Sequence, residues 1–186
     1  MRNNKFAKDN QGRIVFYHWN GMVARGLISD GLWYYSMDTG DGHYLGRFKA
    51  AGVAASDTYQ LQVLDLVNEE RLSRNIPPLK VSEQAQQAAQ IRAGEIDTLF
   101  SHTRPNGTSC FTVLDEYVTE GYMSASENIA AGQSSPQEVV EDWMNSPGHR
   151  ANILDESYTA LGVGYYYNSS GLYRSYWVQL FIGDEY

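Results

Sequence analysis

Apolar positions along the chain change period twice. Residues 12–48 carry short aromatic clusters broken by glycine, first GRIVFYHWNGMVARGLI and then GLWYYSMDTGDGHYLGRF. Each unit sets an aromatic cluster before a Gly-containing turn and a short alternating stretch after it, the pattern of a β-hairpin. The units read as imperfect repeats, with Gly12 stepping to Gly31 and Gly21 to Gly42. Two hairpins bury too little to stand alone, so they are expected to pack on the rest of the chain or on further repeats. The small, uncharged AAGVAAS reads as a linker. This predicts an aromatic β-hairpin module at residues 1–50, a linker at 51–57 and a main domain at 58–186.

The period then becomes helical. Leu61, Val63, Leu64, Val67 and Leu72 form a stripe over 57–74, with Ser56 or Asp57 as N-cap and Pro77-Pro78 as a stop. A second helix is expected over 82–98, capped by Ser82, with Ala85, Ala88, Ala89 and Ile96 making a narrow side that permits close approach. Residues 101–109, SHTRPNGTS, are loop chemistry, and a short helix is expected over 110–119. Ser135-Pro136-Gln137-Glu138 is a helix start, with Ser135 as cap and Glu138 completing a capping box. Ser146-Pro147-Gly148 breaks that helix before it resumes over 149–154. The tail returns to alternation: LGVGYYYN and LYRSYWVQLFIG, joined through Ser169-Ser170-Gly171, read as an antiparallel hairpin. The sum is an α+β fold.

Composition sharpens this. The 14 Tyr, 6 Phe and 4 Trp gather at the two ends, as strand-rich segments do. The net charge of −8 is uneven: the first fifty residues are net basic and the main body strongly acidic. An acidic body has the wrong sign for gripping phosphates, which excludes a nucleic-acid binder, and it disfavours an anionic membrane surface. No apolar run is long enough for a transmembrane segment, and the N-terminus does not resemble a signal peptide. The single cysteine, Cys110, excludes an internal disulfide and reads as a small buried hydrophobe.

Five stretches carry a resemblance: LVNEERLSRNIPPLKVSEQAQQAAQIRAGEI, FSHTRPNGTSCF, SENIAAG, VVEDWMNSPGHRANILDESYTALGVGYYY and YWVQLFIG. In this order, over about two-thirds of the chain, they resemble the CAP superfamily (cysteine-rich secretory proteins, antigen 5, pathogenesis-related 1; the SCP domain), in its disulfide-free bacterial branch. The resemblance implies a three-layer α-β-α sandwich and an extracellular or cell-surface location. It also implies a cleft bearing two His and two acidic residues that holds a divalent cation, such as zinc, in several members. By motif the two histidines are His102 and His149 and the first acid is Glu127. The second acid falls at Ser146, with Asn145 before it, so the tetrad becomes a triad.

None of these residues has a local metal-ligand spacing of its own. Converging, two imidazoles and a carboxylate give the ligand count of an open zinc site; the alternative is a hydrogen-bonded polar cluster without metal. If the protein is a metal-assisted hydrolase of peptide or cell-wall material, the catalytic residues are Glu127 as base, His102 and His149. Ser101, Ser126 and Ser146 lack a nucleophile elbow. The leading expectation is a binding protein whose cleft takes a small ligand or a cation, and the third reading is an adhesive surface module.

The N-terminal hairpins more faintly resemble the aromatic repeats of Gram-positive cell-wall-binding modules. Gly31-Leu32-Trp33-Tyr34-Tyr35 matches their GxWYY core and Gly21-Met22 their turn, whereas Phe16-Tyr17 and Phe48 depart from it. Such modules box a quaternary ammonium between aromatic faces. Trp19, Trp33, Tyr34, Tyr35 and Tyr44 are the candidates here, with His18 and His43 in the packing. The alternative is that these rings pack the hairpins on the neighbouring domain. The expected partners are thus cell-wall material or a small hydrophobic ligand.

Overall fold

The computed structural model describes residues 4–29, 33–48, 58–119 and 121–183. The linker at 51–57, the expected caps Ser56 and Asp57, and Gly31-Leu32 lie outside the described residues.

Five short strands precede the first helix: β1 (Lys5–Lys8), β2 (Ile14–Tyr17), β3 (Gly26–Ser29), β4 (Tyr34–Met37) and β5 (Tyr44–Phe48). β1 pairs with β2, while β3, β4 and β5 form a separate antiparallel sheet. The repeat pattern located β2, β4 and β5. It missed β1, whose KFAK offers one aromatic between lysines. That aromatic, Phe6, lies 5.0 Å from Phe16 and 4.7 Å from Tyr35, so it joins the two units.

The main body follows as α1 (Tyr59–Ser73), β6 (Lys80–Val81), α2 (Glu83–Thr98), α3 (Thr112–Tyr117), β7 (Ser124–Ala131), α4 (Pro136–Asn145), α5 (Pro147–Leu154), β8 (Ala160–Tyr167) and β9 (Ser175–Gly183). The sheet order is β6-β8-β9-β7. α1, α4 and α5 cover one face through Val63, Val67, Val140, Trp143 and Ile153. α2 and α3 cover the other through Ala88, Ala89, Ile96, Val113 and Leu114. Every residue of β9 is buried, because β9 lies inside the sheet between both layers. This is the expected α-β-α sandwich, with β8 and β9 as the expected hairpin.

The caps explain the helix ends. Thr58, not Ser56 or Asp57, caps α1 by accepting from the Leu61 N–H. Ser82 caps α2 and Ser135 caps α4 as expected, but Glu138 reaches back to the N–H and hydroxyl of Ser134. Small residues set the α2 contact. A Cβ on Gly164 would lie 2.0 Å from the Ala89 carbonyl oxygen, and one on Gly162 would lie 2.1 Å from the Ala85 carbonyl carbon. Arg71, fully buried, donates to the carbonyls of Pro77, Ile153, Asp155 and Tyr158 and so pins the end of α5 to α1. Burial lowers its pKa to about 10, against the pull of Asp155 and Glu156.

The N-terminal strands dock on α1. The Trp33 indole N–H donates to Asp65 at 2.6 Å, and the Arg47 guanidinium lies 3.9 Å over the Trp33 ring. Arg47 also donates to the Asp65 carbonyl, and Lys8 pairs with Glu156 at 2.6 Å.

Candidate functional site

The site is assembled from α2, the loop after it, β7 and the α4–α5 corner. On α2, Arg92 follows Ala88 and precedes Ile96 by one turn each, so its side chain points into the layer. It donates to Glu127 at 2.8 Å and 3.3 Å, to Glu95 at 2.7 Å and to the Ser101 carbonyl at 2.7 Å. Its burial opposes the charge, and the hydrogen bonds to Glu127 and Glu95 outweigh that and raise its pKa. Glu95 sits between Arg92 and Arg104; burial alone would raise its carboxyl, and the two guanidiniums hold it low.

The 101–109 loop closes on itself. Thr103 bridges Ser109, the Cys110 N–H donates to the His102 carbonyl, and Gly107 takes φ +86° at the turn. This holds His102 over Glu127, with Nδ1 at 2.8 Å from Oε1. A carboxylate only accepts, so Nδ1 is the donor and Nε2 is the nitrogen turned away from Glu127. The His102 side chain is 59% exposed, whereas that of Glu127 is 1% exposed.

His149 lies in the first turn of α5. Asn128 donates to its carbonyl at 3.1 Å, and Asn128 is held in turn by Gln179 and Asn152. Burial, and then the nearby His102, push the His149 imidazole below its ordinary range. Its surroundings therefore favour the uncharged imidazole.

His102, His149 and Ser146 line one cleft of about 560 Å³, together with Phe100, Asp142 and Gln133. Glu127 lies behind His102 and outside the cleft lining. Asn145 faces the opposite way, into a depression of about 370 Å³ between α1 and α4. Ser126 and Ser101 do not form a nucleophile pair with either histidine: the buried Ser126 hydroxyl has no partner, and Ser101 Oγ accepts from the Thr103 N–H. His102, Cys110 and Glu127 place ligand atoms within 4.8 Å of one another. They are a poor metal set, because burial first and then Glu127 raise the Cys110 thiol to about 11, and Arg92 already occupies Glu127.

Arg92, Asp142, Gln133 and Phe100 were missed in the sequence. Arg92 carried a usable signal, being a lone charge on an otherwise apolar helix stripe. Of the aromatic candidates, Tyr35 is buried and Trp33 is covered by Arg47. Tyr34 stacks on Phe48 at 5.7 Å, Tyr44 packs near Tyr35 at 6.4 Å, and Trp19 is 73% exposed.

Among the described residues no helix is long and apolar enough to cross a membrane. The chain is 39% identical over 127 residues to the uncharacterized protein YkwD of Bacillus subtilis, and 33% identical over 130 residues to its uncharacterized membrane protein YlbC. Each alignment covers 67% of this chain, which spans 47% and 34% of those relatives. An extracellular protein containing a SCP domain from Bacillus anthracis has a similar structure over 97% of this chain and 67% of its own, with TM-score 0.61 and 23% identity. An outer surface protein from Borrelia burgdorferi matches 71% of this chain and 97% of its own, with TM-score 0.62 and 19% identity. Residues 64–181 match the cysteine-rich secretory protein family, CAP, and the chain belongs to it.

Proposed function

We propose that this is an extracytoplasmic bacterial binding protein whose cleft captures a small ligand or a divalent cation. The observation that carries the reading is the chain Arg92–Glu127–His102. Glu127 is occupied by a guanidinium and an imidazole and serves to orient His102. A carboxylate behind a histidine fixes its ring orientation, the arrangement found behind metal-bound imidazoles. The imidazoles that face the cleft are those of His102 and His149. On this reading zinc would take His102 and His149 as ligands, with Glu127 in support. A hydrolase using Glu127 as base has no support here, since that carboxylate neither reaches the cleft nor lacks partners.

The same reading divides the chain into a module at 1–50, a joint at 51–57 and a CAP domain at 58–186. The N-terminal strands support it, because they pair among themselves and contribute none to the four-stranded sheet. The extracellular placement is supported by the similar Bacillus anthracis protein.

Imidazole NMR tests the cleft. Titration with zinc, with a cell-wall digest and with a fatty acid is expected to move the His102 and His149 ring signals together in at least one case. If both rings stay silent with all three, the reading is wrong. Recovery of the native protein from the cytosol, and not from medium or surface washes, would overturn the location.

A further inference from the structure

One wall of the cleft is the free edge of the sheet. β7 ends the order β6-β8-β9-β7, and Ile129, Ala130 and Ala131 line the cleft. The ladder register says which backbone groups face it. Asn168 donates to the Arg174 carbonyl in the β8–β9 pairing, and Gly132 donates to the Ser175 carbonyl in the β7–β9 pairing. In an antiparallel ladder alternate residues turn their N–H and C=O to alternate sides. With Ala131 opposite Tyr176, the even residues of β7 bond to β9, and Glu127, Ile129 and Ala131 turn their backbone groups outward. Ile129 confirms the direction, because its carbonyl accepts from the Trp143 indole at 3.3 Å. The N–H of Ile129 and both polar groups of Ala131 therefore face the cleft, with no hydrogen-bond partner among the described residues. Two residues apart on one edge, they repeat at roughly 6.8 Å, the step of an extended chain.

Two further observations agree. Gln133 lines the same wall, its Nε2 held by Asp142, and its buried Oε1 has no partner and so lacks a donor. The β7 sequence itself also carries no guard. Free edges are usually blunted by charge, proline or a bulge. The one charge in the β7 sequence SASENIAA is Glu127, which is turned back onto Arg92. What protects this edge is the cleft, with Phe100 and His102 on one side and Ser146 and His149 on the other. Such a slot excludes a second sheet but admits one strand.

Resting on the proposal that this cleft is a binding site, we propose that its ligand is an extended peptide that adds as a fifth strand to the outer edge of β7. Main-chain hydrogen bonds to Ile129 and Ala131 hold the peptide, and Gln133 Oε1 accepts from one of its N–H groups. Charge selects it. Asp142 is the carboxylate on the cleft wall, and the body of the protein is strongly acidic, so the peptide carries a Lys or Arg directed to Asp142.

The probe is a pool of N-acetylated, C-amidated pentapeptides with a central Lys, added to the ¹⁵N-labelled full chain. The expected result is at least tenfold slower amide exchange at Ile129 and Ala131. A pool N-methylated at alternate amides should give no slowing, and a Glu-centred pool at least tenfold weaker binding, with Asp142→Asn narrowing that gap. Ala131→Pro removes an outward N–H without touching the β9 ladder and should abolish the protection. The N-methylated pool keeps the test decisive if that variant does not fold. Unchanged exchange at Ile129 and Ala131, or equal protection by the N-methylated pool, overturns the strand. If zinc or another ligand moves His102 and His149 while those amides exchange freely, the strand fails and the binding cleft stands. Silence of both the rings and the amides removes both.

Discussion

Arg92 and Glu127 meet at 2.8 Å with side chains 0% and 1% exposed, which makes them a buried ion pair behind His102. Removing one member of such a pair strands the other in a low-dielectric interior, which costs about 3–5 kcal/mol. Arg92→Met is expected to lower unfolding stability by that amount in urea titration. Pairing it with Glu127→Gln strands no charge and should recover part of the loss. A change under about 1 kcal/mol for Arg92→Met alone would mean that Glu127 is satisfied without it.

Zinc separates ligands from supports. At a hundred times the dissociation constant a bound ion stabilises by about 2.7 kcal/mol, a melting shift of roughly 5–10 °C for a chain of this size. His102→Ala and His149→Ala are each expected to abolish the shift. Glu127→Gln combined with Arg92→Met removes the carboxylate behind His102 without stranding a buried charge and should weaken binding by about 10–100-fold while leaving a shift at higher zinc. Calorimetric melts with and without chelator measure this. Equal shifts in parent and His102→Ala would exclude the cation.

Several of these relations were legible in the sequence. Ser82 marked the start of α2 and its alanine stripe a close approach, and that stripe does meet the glycines of β8. Family spacing brought His102 and His149 to one cleft. It misplaced Asn145, because neighbours on a helix point roughly 100° apart and only Ser146 turns inward. Arg92 stood out as a charge on the alanine stripe of α2, but that pattern does not say which carboxylate, 35 positions away, it meets. β1 was hidden too: KFAK has no periodicity, and its strand forms only because β2 pairs with it.

The glycines of β8 should tolerate no side chain. Gly164→Ala would set a methyl 2.0 Å from the Ala89 carbonyl oxygen, a backbone atom that cannot rotate away. α2 must then lift off the sheet, and overpacking of this kind costs about 3 kcal/mol. Gly148→Ala meets nothing within 4 Å and serves as the neutral control. Urea midpoints of the two variants are the check, and equal midpoints would mean that α2 is not in contact with β8.

The aromatic face of Trp33 already holds a cation. Arg47 lies 3.9 Å over the ring, and the indole N–H is bonded to Asp65, so a quaternary ammonium finds that face taken. Choline at millimolar concentration is expected to leave tryptophan fluorescence and melting temperature unchanged. Trp33→Ala should instead loosen the N-terminal strands from α1, seen as earlier proteolysis at those strands. Saturable choline binding that is lost in Trp33→Ala would restore the ligand-box reading.

His149 makes the cleft sensitive to acid. Its imidazole is depressed first by burial and then by His102, so its folded pKa lies below the ordinary value of about 6.5. Above that value neither folded nor unfolded chain protonates this ring, and its contribution to stability is complete. As pH falls below it the unfolded chain takes up the proton first, so stability is lost down to the folded pKa and levels off there. The parent should therefore lose stability more steeply than His149→Gln between pH 7 and pH 5, in urea titrations run with chelator. The ring signal should titrate below 6.5, and His102→Gln should move that midpoint upward, though not fully, because burial remains. A midpoint at or above the ordinary value would mean that the ring is solvated and the cleft open to water around it.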